Sequence, residues 1–230
     1  MSDNKCSAVD GNFKKLIRFL IVLAAAVLIT WCWNAIKHKV GMSLFLSGYT
    51  NILYVPIATA ASTAFLLLVV WFYHRWIAPL GLGNAFQRKS ILPALAILAI
   101  SLTDMVYTHL MGYEYDKWLT GAFELPIWLL LFVMLSAFVL LPLGQEIIYR
   151  GICLNVFRTS KPWTIWAGTI ILTIVFYRPT WTVDTLFLFV ESCLFALTFT
   201  WARIMSGGLL LPVLLHIFAA VLGASLIHLF

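Results

Sequence analysis

Charge is scarce in this chain. Asp, Glu, Lys and Arg make up 10% of its 230 residues, and only nine of these are acidic, against about a quarter in soluble domains. Water is therefore excluded as the main solvent, in agreement with a 63% hydrophobic composition and a mean hydropathy of +0.98. Cysteine is equally sparse. Cys6, Cys32, Cys153 and Cys193 are widely spaced with no C-x-x-C pair, which excludes a zinc ribbon or dithiol redox motif and leaves structural thiols. No Gly/Ser/Pro-rich linker, low-complexity tract or repeat separates the apolar runs, so no soluble second domain is expected among these residues. The runs also lack strand-like alternation. In hydrocarbon every backbone group must bond within a helix or a closed barrel, so helices remain.

The apolar runs predict an all-α, polytopic transmembrane bundle of about seven helices, near 16–36, 51–73, 91–110, 125–144, 164–178, 183–202 and 208–229. The fourth run continues past Gly144 into a polar stretch. The first follows Lys14, Lys15 and Arg18 in the manner of a signal peptide, but it is longer than the ~7–15 apolar residues of a secretory segment and lacks a small-x-small cleavage site. It reads as an uncleaved anchor, with residues 1–15 a cytoplasmic tail and residues 16–230 one membrane domain.

Lys and Arg are distributed unevenly between alternate loops. Lys5, Lys14, Lys15, Arg18, Arg75, Arg88, Lys89, Arg150, Arg158, Lys161 and Arg203 collect on one side, eleven of fifteen; Lys37, Lys39, Lys117 and Arg178 lie on the other. Lys117 is offset by Glu114, Asp116 and Glu124. The positive-inside rule then places the N-terminus in the cytoplasm. The net charge of +6 points to membrane lipids with anionic headgroups as partners and not to nucleic acid. The absence of organellar signals suggests a bacterial inner membrane. The stretch from His74 to Lys89 reads as interfacial, with Trp76 and Phe86 at headgroup depth, and His228 as interfacial at the external end.

Ionisable residues inside a bilayer cost about 2.5–3.5 kcal/mol each on insertion scales, so those that remain are the informative ones. They are Asp104, Glu146, Arg150, Arg178, Glu191 and His216, with Gln145 and Thr180 as neutral neighbours. Glu146 and Arg150, four apart in acid-then-base order, can form a structural ion pair. Glu146 can equally be a catalytic carboxylate, given a water and a polar neighbour. His216 is either a satisfied interhelical hydrogen bond or a site residue. Asp104 and Glu191 suit helix-helix glue or a polar path. Glu146 and His216 are only two candidate ligands where a hydrolytic zinc takes three from protein, so no metal or other cofactor is expected.

Three motifs carry a resemblance. Gln145-Glu-Ile-Ile-Tyr-Arg150 resembles the E-E-x-x-x-R motif of the CPBP group (CAAX prenyl endopeptidases, bacteriocin-processing and Abi proteins). Phe176-Tyr-Arg-Pro-Thr180 falls where that family has F-x-x-x-H, and His216 to Ala220 where it has H-x-x-x-N. With Leu80-Gly81-Leu82 as lead-in, the family-like core covers about 80–230. The resemblance implies an intramembrane peptidase in which the first glutamate activates water, two histidines assist and the asparagine helps hold the oxyanion.

Those roles fall on Gln145, Thr180, His216 and Ala220, while the second glutamate and the arginine fall on Glu146 and Arg150. Gln145 is neutral and cannot take a proton from water. Thr180 cannot replace imidazole, and Ala220 offers no donor to an oxyanion. Pro179 also interrupts the helix that would place Thr180 above Phe176. For Glu146 to substitute for Gln145, adjacent positions being about 100° apart on an α-helix, it is expected to have to leave Arg150 and rotate towards His216. Two readings follow: a non-catalytic or weakly active member that binds a membrane-embedded peptide, bacteriocin or partner membrane protein, in self-immunity or regulation; or an endopeptidase with an altered centre built on Glu146 and His216. A transporter would show repeated halves with broken helices, and the chain has no such symmetry.

Overall fold

The computed structural model describes residues 3–111, 123–157, 163–177 and 183–227. Among them are seven helices, labelled here α1 (Asp3–Leu46), α2 (Asn51–Trp76), α3 (Ile91–Leu110), α4 (Ile127–Val156), α5 (Trp163–Tyr177), α6 (Val183–Ser206) and α7 (Leu210–Ile227). Five are long and apolar enough to cross a bilayer: α1 from Leu16, α2 from Ile52, α3 with the short turn Arg88–Ser90 before it, α4, and α6 from Thr185. The apolar stretches of α5 and α7, Trp163–Val175 and Leu210–Ser225, are shorter. Large apolar side chains such as Leu28, Trp31, Leu68, Trp71, Leu95 and Leu131 are exposed on the outer faces, as a lipid-facing surface requires.

The first helix departs from expectation at both ends. It begins inside the presumed tail, at Asp3, and runs on through Lys37 and Lys39 to Leu46. Charged side chains with long apolar stems can continue a helix out of the hydrocarbon, and Lys37 does so with its ammonium 5.6 Å from the Trp33 ring. Trp76 ends α2 and Phe86 lies in the extended connector after it; both are largely exposed.

The core has two parts. In one, α1 and α2 pack on the second half of α4 through Val22, Ala26, Ile29, Trp33, Leu66, Tyr73, Ile148 and Ile152; in the other, α3, α6 and α7 meet through Ile97, Phe199, Ala202, Leu211 and Leu215. A backbone clasp sets where α7 begins. Leu209 and Leu210 N–H donate to the Gly81 and Leu82 carbonyls, and Asn84 N–H to that of Ser206, at 2.9–3.0 Å. The two segments approach so closely that a Cβ on Gly208 would meet the Gly83 nitrogen and the Leu82 carbonyl, and Gly83 itself is at φ +70°.

Helix α4 is not regular. Wide π-type turns occupy Ser136–Leu140 and Ile147–Cys153. The first has a cause in the sequence: Pro142 has no N–H for the Phe138 carbonyl and its ring would clash there, and widening the preceding turn relieves both. Thr63 Oγ1 donates to the Leu140 carbonyl at 3.3 Å, supplying a bond from α2. The second turn carries Arg150 and encloses the residues that matter below.

Candidate functional site

Each turn of π-helix holds an extra residue, so the side chains of Ile147–Cys153 do not follow an α-helical register. Glu146, at the threshold, points into the bundle and is 0% exposed; Arg150 is 6% exposed. Arg150 Nη1 donates to Glu146 Oε1 at 3.1 Å. His216, on α7, meets the same oxygen through Nδ1 at 2.8 Å. A carboxylate oxygen only accepts, so Nδ1–H donates and Nε2 is left as the other face of the ring. The expectation that Glu146 must give up Arg150 to reach His216 is therefore corrected: one oxygen serves both, because α7 brings the imidazole to the carboxylate.

Helix α6 holds both of these donors in place. Arg150 Nη2 donates to the Ala196 carbonyl at 3.3 Å. The Phe199 ring, buried at 3% exposure, stacks on His216 with centroids 4.7 Å apart and 15° between planes, and lies 5.2 Å from the Arg150 guanidinium carbon. Glu146 Oε2, by contrast, is buried and has no hydrogen-bond partner among the described residues.

Beside this cluster lies a cavity of about 520 Å³ walled by α3 to α7. Gln145, Arg150 and His216 line it; Glu146 does not. Ala219, Ala220 and Gly223 form the α7 wall, so the small residue in the asparagine position leaves open space beside the imidazole. Asp104 and Glu191 line the same cavity, which gives them a common place that their sequence neighbours did not indicate. Phe176 belongs to α5, with its side chain outside the described residues, and Arg178, Thr180 and His228 lie outside them altogether.

Sequence reasoning did not single out Phe199, or the hydroxyls of Ser101, Thr169, Ser192 and Thr200 that join the cavity wall. A signal was present in α6, where Glu191, Ser192, Phe195, Ala196, Phe199 and Thr200 recur at three- and four-residue spacing and mark one face. Among the described residues, no three His, Cys, Asp or Glu side chains gather as metal ligands.

Fold and site together define a polytopic helical membrane protein with a buried carboxylate-guanidinium-imidazole cluster at the wall of an intramembrane cavity. The family described as "Type II CAAX prenyl endopeptidase Rce1-like" matches residues 126–222, which run from the start of α4 almost to the end of α7. An uncharacterized 24.3 kDa protein of Escherichia coli is 32% identical over 211 residues, covering 90% of this chain and 94% of that protein. No solved structure matches. The chain belongs to the CPBP family of CAAX-protease-like membrane proteins.

Proposed function

We propose that this protein holds a membrane-embedded peptide or a segment of a partner membrane protein in its cavity, and that hydrolysis there is lost or slight. One observation carries the reading. The side chain facing the cavity where the family places its water-activating carboxylate is the Gln145 amide, while the neighbouring Glu146 is wholly buried, engaged by Arg150 and His216, and absent from the cavity wall. A positioned carboxylate base contributes about 10²–10⁴-fold to such a step, and an amide supplies none of it. Ala220 adds no donor for an oxyanion, a contribution worth about 10²–10³-fold elsewhere. Immunity to a co-produced bacteriocin and regulation of a partner are both forms of such binding.

A second reading keeps the protein an endopeptidase. His216 lines the cavity with Nδ1 fixed by a carboxylate, the arrangement that orients an imidazole to take a proton at Nε2. The two readings separate when the parent, Gln145→Glu and His216→Ala are purified and incubated with fluorogenic prenylated and transmembrane peptides. Binding by the parent without cleavage, and cleavage acquired by Gln145→Glu, supports the first. Cleavage by the parent that His216→Ala abolishes refutes it.

We further place the protein in a bacterial inner membrane with its N-terminus in the cytoplasm, supported by the bias of Lys and Arg between alternate loops and by the Escherichia coli relative. Alkaline phosphatase fusions after residues 48 and 84 test this: activity is expected at the first and not the second, and the reverse pattern refutes the orientation.

A further inference from the structure

We propose that the cavity selects peptide segments carrying a basic side chain, whose cationic head is received between Asp104 and Glu191. This rests on the peptide-binding reading above and names the class of peptide. The cavity defines the site; the two acids bear on what enters it. At about 520 Å³ it falls in the size range of ligand sites, roughly 300–1,000 Å³.

Asp104 comes from α3 and Glu191 from α6, and both face the space that Gln145, Arg150 and His216 reach from α4 and α7. One turn further along the same two helices the Tyr107 and Phe187 rings stack with centroids 3.6 Å apart, so Asp104 and Glu191 lie on facing stretches of α3 and α6. Two carboxyl groups brought together away from water are costly to ionise, and a cation placed between them relieves both their mutual repulsion and the loss of hydration. The nitrogen donors of Arg150 and His216 are directed elsewhere: Arg150 to Glu146 and the Ala196 carbonyl, His216 to Glu146. Asp104 has a side-chain bond to Thr108, which leaves its carboxylate with further acceptor capacity.

The surrounding walls suit a lysine or arginine better than a small inorganic cation. Met105, Leu172 and Phe195 offer apolar surface for an aliphatic stem, and Ser101 and Ser192 add hydroxyl acceptors beside the acids. An ammonium has three donors to place and no acceptor, which two carboxylates and a hydroxyl satisfy. An acidic peptide or an anionic lipid headgroup would meet the same two carboxylates and be repelled.

The test uses the full chain purified in a neutral detergent and short fluorescent Leu/Ala peptides with one central Lys, norleucine or Glu. Norleucine keeps the stem of lysine and removes the charge. Anisotropy titrations of the parent are expected to show the Lys peptide binding about tenfold more tightly than the norleucine peptide, as charged hydrogen bonds imply, with the Glu peptide weakest. In Asp104→Asn/Glu191→Gln the Lys-to-norleucine ratio is expected to fall to about one. Equal affinities for Lys and norleucine in the parent overturn the inference, as does a preference that survives in the double variant. If the double variant does not fold, the parent's peptide series decides alone. Failure of the underlying reading looks different: no peptide binds the parent, and a cavity-filling Ala220→Phe behaves identically.

Discussion

Replacing Glu146 by Leu should be among the most damaging single changes in the bundle. Leucine is close to glutamate in volume and Glu146 is fully buried, so packing alone predicts little harm. Electrostatics predicts the opposite. The change leaves the Arg150 guanidinium, 6% exposed, with the 3.3 Å bond to the Ala196 carbonyl and the Phe199 and Tyr149 ring faces to compensate its charge. It also removes the acceptor of His216. Breaking a buried pair from one side costs about 3–5 kcal/mol, because the remaining charge is stranded. For a chain of this size that corresponds to a melting shift on the order of 10 °C.

Arg150→Met should be milder than Glu146→Leu, because the carboxylate it leaves behind still accepts from His216. Glu146→Leu/Arg150→Met, which removes both charges, should recover most of the loss, since replacing a whole buried pair by apolar residues is often neutral or stabilising. The assay is thermal unfolding of detergent-purified protein, followed by monodisperse elution after heating, across the four members of the cycle. If Glu146→Leu falls within about 1 kcal/mol of the parent, the pair behaves as an exposed one and the burial argument fails. If the double variant is as unstable as Glu146→Leu, the damage comes from lost packing instead.

Gly208→Ala should destabilise at or beyond the upper end of the ~1–3 kcal/mol typical of overpacking, since its Cβ meets backbone and no flexible side chain can yield. Gly48→Ala, at φ +84° but with nothing within 4 Å, should cost only about 1 kcal/mol by the same melting assay. Phe199→Leu should cost about 0.5–1.5 kcal/mol beyond the area lost while the Glu146 bond keeps the proton of His216 on Nδ1, which a ¹⁵N spectrum of the labelled ring would report. Asn155→Ala should cost more than Tyr73→Phe, because Asn155 both donates to the Tyr73 hydroxyl at 3.4 Å and accepts from Arg203 at 3.1 Å; equal melting points would refute this ordering.

Most of the architecture was legible in the sequence because hydrophobic runs of membrane length leave few alternatives. Helix α3 begins and ends where its run does, and α2, α5 and α6 differ by a few residues at their ends. The first helix was misjudged because charge was read as a boundary, whereas Lys37 and Lys39 extend the helix beyond its apolar part. Glu146, Arg150 and His216 stood out because ionisable groups are rare in such runs. The cavity did not, because it is made by what is missing: Ala219, Ala220 and Gly223 carry no pattern of their own, and only the crossing of α7 past α4 and α6 turns their small side chains into space.

The part no periodicity argument could reach is the helical register around Gln145 and Glu146. Their roles differ through the direction each side chain takes, and that direction depends on π turns on either side, Ser136–Leu140 before and Ile147–Cys153 after. An even 3.6-residue count locates neither, and so made Arg150 and His216 look like competitors for one carboxylate. In the folded chain they are co-donors to it, and the cost is one unpartnered oxygen, Glu146 Oε2. Burial of that carboxylate away from the cavity wall suits a bridge better than a general base, which needs water within reach. The amide at 145, lining the cavity, can donate and accept hydrogen bonds but is no proton acceptor for water. Substitution at 145 therefore alters the chemistry of the cavity while leaving the buried cluster of Glu146, Arg150 and His216 in place.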